Sequence, residues 1–154
     1  RLLMVSRSTV SWESSPRRRL ALILLLDQFP RSLHRGTADA FATAREALSL
    51  AITGLQLGAD AVLEPVERIF FYMPLQHAES AEVQAESVAA FRRLCDEVPP
   101  EMKALFAGVH AYAVQHRDII GQFGRFPHRN AALGRESTPE ERAWLHGGGA
   151  RFGQ

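Results

Sequence analysis

The sequence predicts an all-α fold, a single bundle of about five to six antiparallel helical hairpin elements. Three observations carry that expectation. Apolar residues recur at three- and four-residue intervals in one window after another, no run shows the strict alternation of a half-buried strand, and proline, glycine and capping residues break the pattern at helix-length intervals. Of the 154 residues, 46% are hydrophobic and 23% charged, the balance of a globular chain long enough to bury a sizeable core. The 18 basic and 17 acidic residues nearly cancel to a formal net charge of +1. That balance gives no general attraction to nucleic acid or an anionic membrane, so any charge-based function has to be local. The single cysteine, Cys95, excludes an internal disulfide and fits a reducing compartment.

The chain is organised around the stretch from Leu20 to Arg31. Its first seven residues are apolar without a period, which predicts a helix covered by neighbours on every side. The run is too short for a bilayer, which takes about 20 apolar residues. Pro16 suits the first turn of this helix, and Arg17, Arg18 and Arg19 read as its solvated start. A basic triplet ahead of an apolar run has the outline of a secretory leader. It lacks the small-residue cleavage pattern and passes directly into Asp27-Gln28-Phe29-Pro30-Arg31, so the reading is a folded helix of a cytoplasmic protein. Pro30 is expected to end the helix, because the residue before a proline avoids the helical region. Residues 1 to 15 have no clear period and read as an irregular or frayed arm.

Thr43 with Glu46 has the spacing of a capping box for the second helix, where Leu48, Ala51, Ile52 and Leu55 follow at helical spacing and Gly58 supplies the stop. Pro65 opens a third helix with Leu63, Val66, Ile69, Phe70 and Met73 on one stripe, and Pro74 ends or kinks it. Ser80 is a good cap for a fourth helix whose inner stripe is Val88, Phe91, Cys95 and Val98, closed by Pro99-Pro100. The fifth and longest helix, residues 100 to 123, carries Leu105, Val109, Tyr112, His116, Ile119, Ile120 and Phe123 on one face and stops at Gly124. Thr138-Pro139-Glu140-Glu141 is a second capping box for a short helix through Trp144 and Leu145. The domain therefore spans residues 16 to 146, with the glycines at 147, 148 and 149 starting a flexible tail to residue 154.

Several of these segments together look familiar: Leu25-Leu26-Asp27-Gln28-Phe29-Pro30-Arg31, Arg35-Gly36-Thr37, Phe70-Phe71-Tyr72-Met73-Pro74 with His77, His116-Arg117-Asp118-Ile119-Ile120, and Gly124-Arg125-Phe126-Pro127-His128-Arg129-Asn130. In this order they resemble the bacterial domain-of-unknown-function 924 family, from Arg19 to Leu145. The resemblance implies an all-helical fold akin to the tetratricopeptide-like superfamily and implies no established activity. Residues 1 to 15 lack the aromatic-rich segment that such proteins usually carry ahead of the first shared helix. No thirty-four-residue internal repeat is evident.

One polar corner stands out. Asp27 falls at the end of the first helix, where the dipole disfavours a carboxylate unless a cation or donor meets it. Gln28 and Arg31 follow it, His77 and Glu79 follow the third helix, and Arg125, His128, Arg129 and Asn130 follow the fifth. Loops on a rigid scaffold are where binding residues tend to lie. On one reading this corner binds a small anionic ligand, a carboxylate or phosphate, through Gln28, Arg31, His77, Arg125, Arg129 and Asn130, with Asp27 or His128 as proton-transfer groups. On a second, Arg125 or Arg129 simply neutralises Asp27 and the corner is structural. On a third, the protein is an interaction module whose apolar helical groove holds a protein partner.

Other chemistry finds little support in the residues. A metal site from His77, Glu79, His116, Asp118 and His128 fails on spacing, since His116 and Asp118 lie two apart on a helix and point to different sides, and His-Glu-x-x-His is absent. His116, on the apolar stripe between Tyr112 and Ile120, reads as a satisfied core histidine. Cys95 reads as a structural thiol, and no glycine-rich phosphate loop follows a strand, so no cofactor is expected.

Overall fold

In the computed structural model, which describes residues 13–153, the apolar run at Leu20 lies in a helix but Pro30 does not end it. The first helix, α1, runs without a break through an α-helical part Pro16–Ile23, a π-helical turn Leu24–Gln28 and a second α-helical part Phe29–Leu33. Pro30 has no N–H, so the Leu26 carbonyl four residues back loses its donor. The chain accommodates this by widening the preceding turn, where the Phe29 N–H donates to the Leu24 carbonyl, and by donating Thr43 Oγ1 to the Leu26 carbonyl at 2.6 Å. That use of Thr43 is why the expected capping box with Glu46 does not form: α2 (Ala44–Gln56) starts with no side-chain cap.

Nor is α1 covered all round. Leu20, Ile23 and Asp27 are buried, while Leu25, Phe29 and Leu33, each four residues on, are 49%, 53% and 72% exposed. Arg19, expected in solvent, is buried at the other side of the helix, where its guanidinium donates to the carbonyls of Leu50 and Glu13 at 3.1 and 2.9 Å.

Gly58 ends the α2 segment with a left-handed φ of 68°. Pro65 opens α3 (Pro65–Gln76), with Glu64 and Glu67 forming a capping box, and Pro74 sits inside the helix, which continues to Gln76. Ser80 caps α4 (Ala81–Glu97) by accepting from the Val83 N–H at 3.3 Å. A 3-10 turn, Pro100–Met102, leads into α5 (Lys103–Phe123), which Gly124 ends at a φ of 73°. The Thr138 and Glu141 capping box starts α6 (Pro139–His146). The described residues therefore form six helices and no strand. None of these helices is long and apolar enough to cross a membrane.

The core lies where α3, α4 and α5 meet α1: Ile23, Phe71, Tyr72, Phe91, Leu94 and Phe106 are each 2% exposed or less. Burying a side chain of this size is worth about 1.5 to 3 kcal/mol. Tyr72 meets the edges of Phe71 and Phe91 at centroid distances of 6.3 and 5.6 Å. Helix α2 approaches so closely that a Cβ on Gly54 would stand 2.5 Å from the Phe71 ring and 2.7 Å from Arg19 Cδ, which only a glycine allows. Leu105 and Tyr112, expected on the inner face of α5, are 61% and 44% exposed, because the packed helices leave that side of α5 as an open groove.

Candidate functional site

The π-helical turn places Asp27 against the α3–α4 connection. Its carboxylate, 1% exposed, accepts from Gln28 Nε2 at 2.6 Å, from Arg31 Nε at 3.2 Å and from His77 Nδ1, which lies 2.9 Å from both oxygens. Burial alone would raise the pKa of this acid; His77, Arg31 and Gln28 overcome it and hold the carboxyl well below its usual range. A carboxylate only accepts, so His77 Nδ1 carries the proton. Burial also lowers the His77 pKa, leaving the ring neutral with a lone pair on Nε2.

The segment after α5 reaches the same place because four hydrogen bonds fasten it. The Phe126 N–H donates to Glu79 Oε1 at 2.8 Å, Arg135 grips both Glu79 oxygens at 2.7 and 2.9 Å, and Arg129 Nη2 donates to the His77 carbonyl at 3.0 Å. Arg129 is thereby inserted between two rings, 4.8 Å from the Phe41 centroid and 4.4 Å from that of Phe126. The Arg31 guanidinium faces the same Phe41 ring at 5.2 Å. Among the described residues no carboxylate lies within ion-pair distance of Arg129, although it is only 6% exposed. Burial, followed by the neighbouring charge of Arg31, brings its pKa down to about 9, so it remains a cation at neutral pH.

Between these groups lies a cavity of about 230 Å³ whose lining includes Gln28, Arg31, His77, His116, His128 and Arg129, with Asp27 behind them. Three buried polar atoms here have no partner among the described residues: Arg31 Nη2, Arg129 Nε and His128 Nδ1. His116 donates Nδ1–H to the Tyr112 carbonyl at 2.8 Å and keeps its other nitrogen free of a proton, since burial lowers its pKa to about 3. Burial and the charges of Arg129 and Arg31 lower His128 to about 4. Phe152, from the segment expected to be flexible, stacks on His116 at 3.8 Å and lines the pocket. The site thus presents two buried guanidinium cations, one buried carboxylate and neutral imidazoles. Such a balance suits an anion.

Two of the expected ligand-binding residues stand elsewhere. Arg125 does not approach Asp27; it pairs with Glu141, with Nε and Nη2 each 2.8 Å from a carboxylate oxygen. Asn130 donates to the same Glu141 at 3.0 Å and accepts from Arg135 at 3.0 Å. Neither lines the pocket. The neutralisation of Asp27 falls instead to Arg31 on its own helix. Among the described residues no three His, Cys, Asp or Glu side chains come together in a way that could hold a metal.

Residues 4–149 match the family described as bacterial protein of unknown function, DUF924. The chain belongs to that family. Among solved structures, it is similar to a protein of unknown function, ATU0120, from Agrobacterium tumefaciens, at 42% identity and a TM-score of 0.72, over 92% of this chain and 74% of that one. No curated protein matches the chain. In this DUF924 chain, the pocket residues not expected from the sequence include Ser32, Arg35, Met73 and Gln76, and Tyr112, His116 and Phe152, which read as core or tail; Phe41, which carries no polar signal, backs the two arginines without lining the pocket. The spacing of Tyr112 and His116, four apart on α5, was the available signal.

Proposed function

We propose that the pocket between α1, the α3–α4 connection and the segment after α5 binds a small organic anion, with Arg31 and Arg129 as its cationic clamps. One observation carries the reading: Arg31 Nη2 and Arg129 Nε are buried hydrogen-bond donors on charged groups, and neither has a partner among the described residues. Leaving such a donor unsatisfied costs about 1 to 3 kcal/mol, more on a charged group, so a carboxylate or phosphate oxygen that reaches these donors gains that much. His77, oriented by Asp27 and retaining a lone pair on Nε2, lines the same cavity and is the group best placed to accept a proton from the bound molecule. Asp27 is sealed behind it and serves as its orienting partner.

The test is a thermal-shift comparison of acetate, phosphate and citrate at constant ionic strength. A ligand that binds the native state alone raises the melting temperature by mass action. At least one of the three raises it by several degrees in the wild type, and Arg129→Met removes the rise while remaining folded by circular dichroism. Equal response of both proteins, or none, refutes the reading.

The exposed row Leu25, Phe29 and Leu33 on α1 favours a second reading, an interaction module, because three large apolar residues four apart form one continuous stripe. On that reading the row, and not the cavity, is the working surface, and Phe29→Glu abolishes partner binding while leaving the anion response intact.

A further inference from the structure

The cationic pocket lies beside a second space. At about 230 Å³ it falls below the roughly 300 to 1,000 Å³ of drug-sized ligand sites, room for a head group and little more. Three of its lining residues, Met73, Gln76 and Tyr112, also line an adjoining groove of about 290 Å³ between α3 and α5. The remaining walls of that groove are hydrocarbon, from Ile69, Phe91, Leu105 and Val109, and Gly108 contributes no side chain. Two of the side chains that border it, Leu105 and Tyr112, are 61% and 44% exposed, so this apolar surface meets water when the groove is vacant. The three walls it shares with the pocket point to what would cover it: the rest of the molecule whose charged end lies between the arginines.

Resting on the anion-binding reading above, we propose that the ligand is an amphipathic anion, a carboxylate carrying an unbranched alkyl chain of medium length. The carboxylate lies between Arg31 and Arg129, and the chain passes Tyr112 and runs along the α3–α5 groove. Each methylene buried from water raises affinity by up to about fourfold, so chain length is the property that reads out the groove. The head group supplies orientation and the chain supplies most of the affinity.

Isothermal titration of acetate, butanoate, octanoate and octyltrimethylammonium into the full chain tests this, with Gly108→Leu and Arg129→Met as variants. A Cβ at Gly108 meets no atom within 4 Å, and leucine is a better helix former than glycine, so Gly108→Leu keeps the fold and fills the groove. The wild type binds octanoate at least about 30-fold more tightly than acetate. Gly108→Leu brings octanoate to within about threefold of acetate without changing acetate, and Arg129→Met loses both. If acetate and octanoate bind equally, or Gly108→Leu leaves their ratio unchanged, the amphipathic ligand is wrong and the anion pocket stands. If neither carboxylate binds, both readings fall. If octyltrimethylammonium matches octanoate, the groove adsorbs alkyl chains without reference to the arginines, and the proposal is overturned.

Discussion

Two arginine–carboxylate clusters lie on either side of the segment after α5, and they are finished differently. Around Glu141, Arg125 bonds to both oxygens, Asn130 and the Thr138 N–H add further donors, and Arg135 satisfies the Asn130 carbonyl oxygen. Around Asp27 the carboxylate is equally well supplied, by Gln28, Arg31 and His77, yet the cations are not: Arg31 Nη2 and Arg129 Nε, on two side chains that line the cavity, have no partner among the described residues. The same residue types thus build a closed rivet in one place and an unfinished site in the other. Residue identity does not separate them. The count of donors against acceptors does.

The comparison breaks most visibly at Glu141. Glu141→Ala removes the capping box of α6, leaves the Thr138 N–H without an acceptor and strips Arg125 of its ion pair, while Asn130 keeps only Ser137 Oγ; the expected loss is about 3 kcal/mol in urea unfolding, with no change in anion affinity for the fraction that is folded. Acid acts on the other cluster first. His116 and His128 keep folded pKa values of about 3 and about 4 against an ordinary 6.5, and His77 is lowered as well. The unfolded chain takes up protons that the folded chain refuses, so stability falls once pH drops below about 6.5. A loss of about 2 kcal/mol for each of His116 and His128 is expected between pH 7 and pH 5, and His116→Gln makes the profile shallower. Glu141, lowered to about 2 chiefly by its bond to Arg125, acts with the same sign in a lower window: its contribution is intact above the ordinary carboxylate range and is lost only as pH falls toward 2. A profile that is flat from pH 7 to 5 contradicts the neutral imidazoles assigned to the pocket.

Smaller effects sharpen the contrast. Thr43→Val leaves the Leu26 carbonyl of the π-helical turn without a donor, and urea unfolding detects a loss of about 1 kcal/mol. Arg129→Met replaces an unpaired buried cation by an apolar side chain of similar length, and its stability stays within about 1 kcal/mol of the wild type, because removing such a charge offsets the lost bond to His77. A clamp that can be deleted at so little cost to the fold is what a binding role implies. A deletion that unfolds the protein returns the corner to a structural part.

Much of the fold was legible because it is local. Gly58, Ser80, Gly124 and the Thr138–Glu141 box each act within one turn of the chain, and their side chains or left-handed φ values stand where the sequence places them. Errors appear where a distant group overrides the local rule. Pro30 fails to stop α1 because Thr43, thirteen residues on, supplies the missing hydrogen bond, and that same bond removes Thr43 from capping. Arg19 looked solvated because nothing in its neighbourhood announces the Leu50 carbonyl. For the site, acids and cations beside prolines flagged the right loops, but which arginine meets which acid depends on tertiary registry. Arg125 and Arg129 are four residues apart and serve different clusters. Phe41 and Phe152 were unreadable as site residues, since an aromatic side chain in a sequence says nothing of the guanidinium or imidazole it will face.

The most direct measurement is anomalous diffraction from crystals soaked in 4-bromobenzoate, a carboxylate marked by an unreactive aryl bromine. The account predicts a bromine peak in the cavity, with the carboxylate oxygens within hydrogen-bond distance of Arg31 Nη2 and Arg129 Nε, and none beside Glu141. An empty cavity in crystals whose surface arginines do bind the anion would contradict it.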